Sequence, residues 1–234
     1  MMIVDIMRAS PHPAMSQWRA REQRSIRRPE QPDAWTFFRQ WLKNPLAVAA
    51  LSPSSRQLAQ QMVAQLPPGT RRVIELGGGT GVFTRALLDH GIAPVDLLVL
   101  EVNEQLYQLL HRGFPDVCVV CGDARELRAH VRRSGFSANG TADAVLSGLG
   151  LLSMSRPTQR AILEAAFASM DANGRFIQFT YGPANPVSRE LLNQIGLTVR
   201  RAGVAWMNMP PAAVYVYARS HSQRVRAIRK TPSR

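Results

Sequence analysis

Between residues 72 and 88 an apolar run, Arg72-Val73-Ile74-Glu75-Leu76, passes directly into Gly77-Gly78-Gly79-Thr80-Gly81 and then into Val82-Phe83-Thr84-Arg85-Ala86-Leu87-Leu88. β-Branched residues favour an extended strand, and glycines at alternate positions let the backbone turn through conformations that strain other residues. The run that follows places Phe83, Ala86 and Leu87 at helical spacing and stops at Gly91, a natural C-terminal cap. The pattern predicts a strand, a tight turn and a helix starting near Thr80, the opening unit of a parallel sheet covered by helices.

Two later apolar runs also lead to an acid. Asp96-Leu97-Leu98-Val99-Leu100 ends at Glu101, and Val117 to Val120 runs through Cys121 to Gly122-Asp123. In a G-x-G-x-x-G turn a pyrophosphate sits on the amides at the helix start. Here the glycines follow G-x-G-x-G, and Glu75 stands two residues before the first of them, which suits a cationic ligand better than a pyrophosphate. Glu101 falls about 20 residues beyond the turn, where a carboxylate can accept from both hydroxyls of a ribose. Asp123 can accept from the amino group of an adenine. Three acids on one sheet edge would together seat a nucleoside.

With these residues the chain resembles the class I S-adenosylmethionine-dependent methyltransferases. Glu75 to Gly81 is similar to their first motif, Glu101 to their second and Gly122-Asp123-Ala124 to their third. The resemblance implies S-adenosylmethionine as cofactor. It places the methionine end over Glu75, Gly77, Gly79, Thr80 and Gly81, the ribose on Glu101, and the adenine beside Asp123 and the amide of Ala124. It also implies the fold: an α/β, Rossmann-like, doubly wound seven-stranded sheet with the last strand antiparallel. Strand-like and helix-like runs alternate from about Arg71 to Tyr217. Further strands are expected at Asp143 to Ser147, Arg175 to Thr180, Leu197 to Arg201 and Val214 to Tyr217.

Four further blocks narrow the likeness: FFRQWLKNPLAVAALSPSSR at 37–56, ELGGGTGVFTRALL at 75–88, SGLGLLSM at 147–154 and QFTYGP at 178–183. Over about residues 35–218 the chain resembles the bacterial phospholipid N-methyltransferases, which convert phosphatidylethanolamine to phosphatidylcholine. The implied substrate is phosphatidylethanolamine, with Ser147, Gly148, Leu149 and Tyr181 facing the reacting nitrogen. Tyr181 offers an aromatic face to a methylated ammonium. Arg56 and Arg189 are candidates for the lipid phosphate. Methyl transfer needs no covalent enzyme intermediate, so no catalytic triad is expected. Gly150 stands where the family usually has proline, and a looser loop is expected there.

Two other readings compete. Adenine N6-methyltransferases of ribosomal RNA end the fourth strand with Asn or Asp, an apolar residue, proline and a ring that stacks on a flipped base. Ser147-Gly148-Leu149-Gly150-Leu151 has neither amide, proline nor ring, and few residues follow the sheet where the rival carries a helical RNA-binding domain. The other reading is a cofactor-binding membrane adaptor without catalysis.

The formal net charge is +13, and Arg219, Arg224, Arg226, Arg229, Lys230 and Arg234 at the C-terminal end have no acid among them. Residues 1–33 are basic and polar and are expected to be disordered, residues 34–218 to form the methyltransferase domain, and residues 219–234 a basic tail. Within 34–43, Trp35, Phe38 and Trp41 recur at helical spacing and predict an amphipathic helix for an anionic membrane surface, assisted by the basic ends. No apolar run reaches the length of a membrane span, so a cytoplasmic protein on the inner face of the membrane is expected. No obligate protein partner is evident, and nucleic acid is not the expected partner. Cys118 and Cys121 are expected to be small, buried strand residues rather than metal or redox ligands, and no metal site is predicted.

Overall fold

The computed structural model describes residues 53–181, 184–206 and 211–230. The expected disordered segment 1–33 and the amphipathic helix 34–43, with Trp35, Phe38 and Trp41, lie outside the described residues.

Seven strands form one sheet in the order β3-β2-β1-β4-β5-β7-β6. They are β1 (Val73–Leu76), β2 (Leu97–Glu101), β3 (Cys118–Cys121), β4 (Ala142–Ser147), β5 (Met170–Tyr181), β6 (Leu197–Ala205) and β7 (Ala212–Arg219). Strand β7 runs antiparallel between β5 and β6, while β1 to β5 pair in parallel, which is the expected topology. The chain builds outward from β1 to β3 and then crosses back to place β4 on the other side of β1. Such a reversal opens a crevice outside the carboxyl ends of the strands, where ligands bind in open α/β sheets.

Strand periodicity divides the core between the two faces. Ile74, Leu76, Leu98, Leu100 and Phe176 point to one face. There they pack on α4 (Leu127–Arg133), α5 (Arg156–Ala168) and α6 (Arg189–Ile195). Val73, Leu97, Val99 and Ile177 point to the other. They meet α1 (Pro53–Val63), α2 (Val82–Asp89) and α3 (Glu104–Gly113). Leu87 of α2 is completely buried, a gain of about 1.5–3 kcal/mol for one side chain of this size. Helix α2 starts at Val82, slightly later than expected, and ends as the sequence predicts. Gly91, at φ 101°, turns the chain so that the Ile92 amide donates to the Leu87 carbonyl.

The strands are longer than the apolar runs suggest. Strand β5 begins at Met170, which pairs with Ala142; the polar Asp171-Ala172-Asn173-Gly174 segment then interrupts the ladder before Arg175 pairs with Ala144. At the other end of the chain, Arg219 is not part of a tail. It ends β7, and its guanidinium donates to the carbonyls of Phe167, Met170 and Asp171 near the end of α5. Helix α7 (His221–Lys230) then continues a segment expected to be only a tail. The two cysteines are also less buried than predicted: Cys118 is half-buried and Cys121 exposed, because β3 is an edge strand. The Cys121 thiol lies 3.3 Å from a Glu104 carboxylate oxygen.

Candidate functional site

Register places the strand ends side by side. Leu76 pairs with Leu100 on one side and Ser147 on the other, Ser147 pairs with Gln178, and Glu101 pairs with Cys121. Backbone bonds carry the ladder one residue further. The amide of Gly77 donates to Leu100, that of Gly148 to Leu76 and that of Gly122 to Glu101, at 2.8–2.9 Å. Four of the loops predicted to hold ligand, those starting at Gly77, Val102, Gly122 and Gly148, thus leave one edge of the sheet together.

The glycine turn depends on its residue type. Gly77, Gly79 and Gly81 have φ of 75°, 55° and 83°, all left-handed. Thr80 is half-buried between them. The loops after β1 and β4 also touch: a Cβ on Gly148 would lie 2.8 Å from the Gly77 carbonyl oxygen.

Glu101 is buried and spans this edge. One carboxylate oxygen accepts from the Gly79 amide at 2.9 Å, the other from the Asn103 amide at 2.8 Å. Each oxygen keeps a lone pair, so the carboxylate can still accept from two hydroxyls. Glu75, at the end of β1, is completely buried. One of its oxygens accepts from the Thr84 hydroxyl at 2.7 Å, and the other has no partner among the described residues. Burial pushes its pKa up to about 8, against the Thr84 hydrogen bond, which opposes the shift, with a smaller push from Glu101. A buried carboxyl with an unused oxygen beside an open turn favours a ligand that brings positive charge.

Asp123 caps the turn after β3 and is already engaged. One oxygen accepts from the Arg125 amide at 2.8 Å, and the other is paired with the Arg125 guanidinium, which holds its carboxyl below the usual range. Arg125 is exposed, so a base amino group reaching Asp123 would share it with a surface cation. Ala124 lies buried next to it.

On the other side of β1, Ser147 is completely buried, and its hydroxyl accepts from the Leu149 amide at 3.3 Å. Gly148 is buried as well, and Leu149 is half-buried. Tyr181 ends β5, half-buried, with its ring edge-on to Phe179 at 5.5 Å; Phe179 in turn lies 5.7 Å from Phe83 of α2. These rings lie on the same face of the sheet as Glu75. Gly150 has φ −76°, and its carbonyl accepts from both the amide and the hydroxyl of Ser153, so the loop is tied where a looser one was expected.

The structure does not bring the two arginine candidates together. Arg189 opens α6 at the edge beyond β5, and Arg56 lines a groove of ≈ 780 Å³ between α1 and α2 that shares no residue with the Ser147–Leu149 loop. Sequence reasoning passed over Thr84 and Gln178. Both lie inside blocks that carried the resemblance, but only tertiary packing shows that they are buried and hydrogen-bonded to site elements.

No protein-family model matches the chain. It is 29% identical, over 78% of its length and 94% of the relative's, to an ornithine lipid N-methyltransferase of Singulisphaera acidiphila. The solved structures it is similar to include three methyltransferases. A TehB-like S-adenosylmethionine-dependent methyltransferase of Corynebacterium glutamicum has a TM-score of 0.53, 17% identity, and 80% and 98% of the two chains covered. For the magnesium protoporphyrin IX methyltransferase of Synechocystis, with bound S-adenosylmethionine, the values are 0.55, 14%, 80% and 98%. For the 1,6-didemethyltoxoflavin N1-methyltransferase of Burkholderia thailandensis they are 0.54, 16%, 93% and 93%. The chain has the fold these enzymes share.

Proposed function

We propose that this chain, built on the class I methyltransferase fold and similar to a lipid N-methyltransferase, is an S-adenosylmethionine-dependent enzyme that methylates the amine of phosphatidylethanolamine at a membrane surface. The observation that carries the cofactor assignment is the buried Glu75 carboxyl with its unused oxygen, on the same edge as Glu101. In this reading Glu75 and the turn Gly77 to Gly81 hold the methionine end, Glu101 the ribose, and Asp123 with Ala124 the adenine. The bound donor supplies a sulfonium methyl group.

The residues of the chain have two tasks. A primary ammonium resembles a lysine side chain, with a pKa near 10.4, so releasing its proton at pH 7.4 takes about three units, roughly 4 kcal/mol. In this reading Leu149 and Met154, half-buried against the core cluster that holds Leu151, supply apolar surroundings that disfavour the charged amine. In-line positioning on the loop Ser147 to Leu149 then supplies the rest. The Tyr181 ring accommodates the cation that remains after each transfer.

Two features support action at a membrane surface. The relative's lipid substrate is one. The other is the set of exposed apolar residues at the ligand edge: Val102 after β2, Leu152 after β4 and Trp206 after β6. Among the described residues no helix is long and apolar enough to cross a membrane. Attachment is therefore read as peripheral, on the cytoplasmic face, with Trp35, Phe38, Trp41 and the basic ends as further contacts.

The relative favours one second reading, an ornithine-bearing lipid as methyl acceptor. Purified protein, methyl-labelled S-adenosylmethionine and three acceptors separate the cases: phosphatidylethanolamine vesicles, vesicles containing ornithine lipid, and total RNA. Label in the first is expected. Label in the second alone would move the substrate to the aminoacyl lipid, and label only in RNA would overturn the lipid assignment. Glu101→Ala removes a buried acceptor and is expected to cost about 1–3 kcal/mol of donor binding by calorimetry.

A further inference from the structure

Loop 148–154, which follows β4, is held from beneath by two buried glutamine amides. Gln178 of β5 is 1% exposed, and its Nε2 donates to the Leu149 carbonyl at 2.8 Å and to its neighbour Phe179 at 2.5 Å. Two carbonyls around that nitrogen fix the orientation of the amide, since a flipped Gln178 would set oxygen against oxygen. Gln159 of α5 is 5% exposed; its Nε2 donates to Leu151 at 2.7 Å, to Pro186 at 3.2 Å and to Met154 at 3.3 Å. Ser153 satisfies Gly150 by amide and hydroxyl.

The carbonyls of Leu149, Gly150 and Leu151 therefore all have donors. Gly148 is buried, and its carbonyl receives no hydrogen bond from the described residues. A backbone carbonyl without a protein donor is free to accept from a ligand N–H. Leu149 fixes where this carbonyl stands: its amide is bonded to Ser147, its carbonyl to Gln178, and its side chain lies where a Cβ on Gly77 would meet it at 3.0 Å.

We infer that Gln178 is a positioning residue of the methyl-acceptor site: by clamping Leu149 it presents the Gly148 carbonyl to an N–H of the substrate amine. The inference rests on the amine-methylating reading above. The bonds involved are ordinary hydrogen bonds, so losing the clamp should disturb the acceptor side while leaving the donor side in place. Glu75 and Glu101 do not depend on Gln178, because their partners are Thr84, Gly79 and Asn103.

Gln178→Leu removes both polar atoms at similar volume, and Gln178→Glu keeps the shape while losing the N–H donors. In methyl transfer to phosphatidylethanolamine vesicles, both are expected to lower kcat/KM tenfold or more, with the dissociation constant for S-adenosylmethionine changed less than threefold. Amide hydrogen exchange at Leu151, Ser153 and Met154 should rise selectively in both variants. Equal losses in donor binding and transfer would make Gln178 a general stabiliser and overturn the inference, as would unchanged transfer. If Gln178→Leu does not fold, Gln178→Glu decides alone. Should the wild type methylate no amine lipid, the functional reading fails, and unchanged exchange in the loop would separately remove the clamp.

Discussion

Glu75 holds the least comfortable charge described in the molecule. Its carboxyl is fully buried with one oxygen unpartnered, and its pKa stands at about 8 against an ordinary 4.5. Between those two values the native protein keeps a proton that the unfolded chain has released, so ν_U is smaller than ν_N and stability falls as pH rises. The ligand-free protein is therefore expected to lose thermal stability steadily from about pH 5 to pH 8, and Glu75→Gln should flatten that slope. A cationic donor reverses the preference by favouring the carboxylate. Donor binding should thus release close to one proton near pH 7, seen by calorimetry in buffers of different ionisation enthalpy, and the release should vanish in Glu75→Gln. A slope that persists in the variant would assign it to other groups. The acidic residue itself was legible in the sequence from its place before the glycines. Its protonation was not, because that follows from complete burial, which only the fold supplies, against the opposing hydrogen bond from Thr84.

Among the elements, the strand ends were easier to read than their supports. Strand β1, the turn and α2 follow from local preferences that agree with the tertiary structure, so pattern alone located them. Strand β5 was read too short because Asn173 and Gly174 favour turns; the segment is an irregularity in the ladder, and only the pairing of Met170 with Ala142 beyond it extends the strand. Arg219 was read as tail because its neighbours downstream are basic, and only the fold shows it closing the carbonyl end of α5. The contact between the loops after β1 and β4 was equally invisible, since Gly77 and Gly148 meet only through the sheet. Gly148→Ala would push a Cβ into the Gly77 carbonyl, and overpacking of this kind typically costs about 1–3 kcal/mol. The loss is expected in both thermal stability and S-adenosylmethionine affinity, because the displaced backbone belongs to the donor turn. Gly150→Ala is the control: φ is −76°, which any residue adopts, and donor affinity should hold. Equal effects from the two variants would show that the loop, rather than the contact, is what matters.

At the scale of the whole molecule, basic charge gathers at one edge of the sheet, beside the exposed Val225 and Ile228, while Leu152 and Trp206 are exposed at the other. Strand β7 is antiparallel, so its Ala212 end pairs with Tyr181 at the ligand edge and its Arg219 end lies at the opposite edge. Helix α7 follows Arg219 and presents Arg224 and Arg226 there. Eight residues of strand span roughly 23 Å, and a Debye length is about 8 Å at physiological salt. Charges on α7 therefore draw the protein towards an anionic surface without directing its ligand edge, a task left to Leu152 and Trp206. At that edge Trp206 is 75% exposed and Leu152 50%. In vesicle flotation, Leu152→Ser with Trp206→Ser is expected to reduce binding fivefold or more at every salt concentration and to lower methyl transfer in parallel, with donor affinity unchanged. Arg224→Gln with Arg226→Gln should instead weaken binding only at low salt and leave transfer at saturating lipid intact. If the arginine pair abolished transfer while the apolar pair changed nothing, the α7 end would be the one that faces lipid, and substrate would have to reach Ser147–Leu149 from the side of the sheet rather than from its edge.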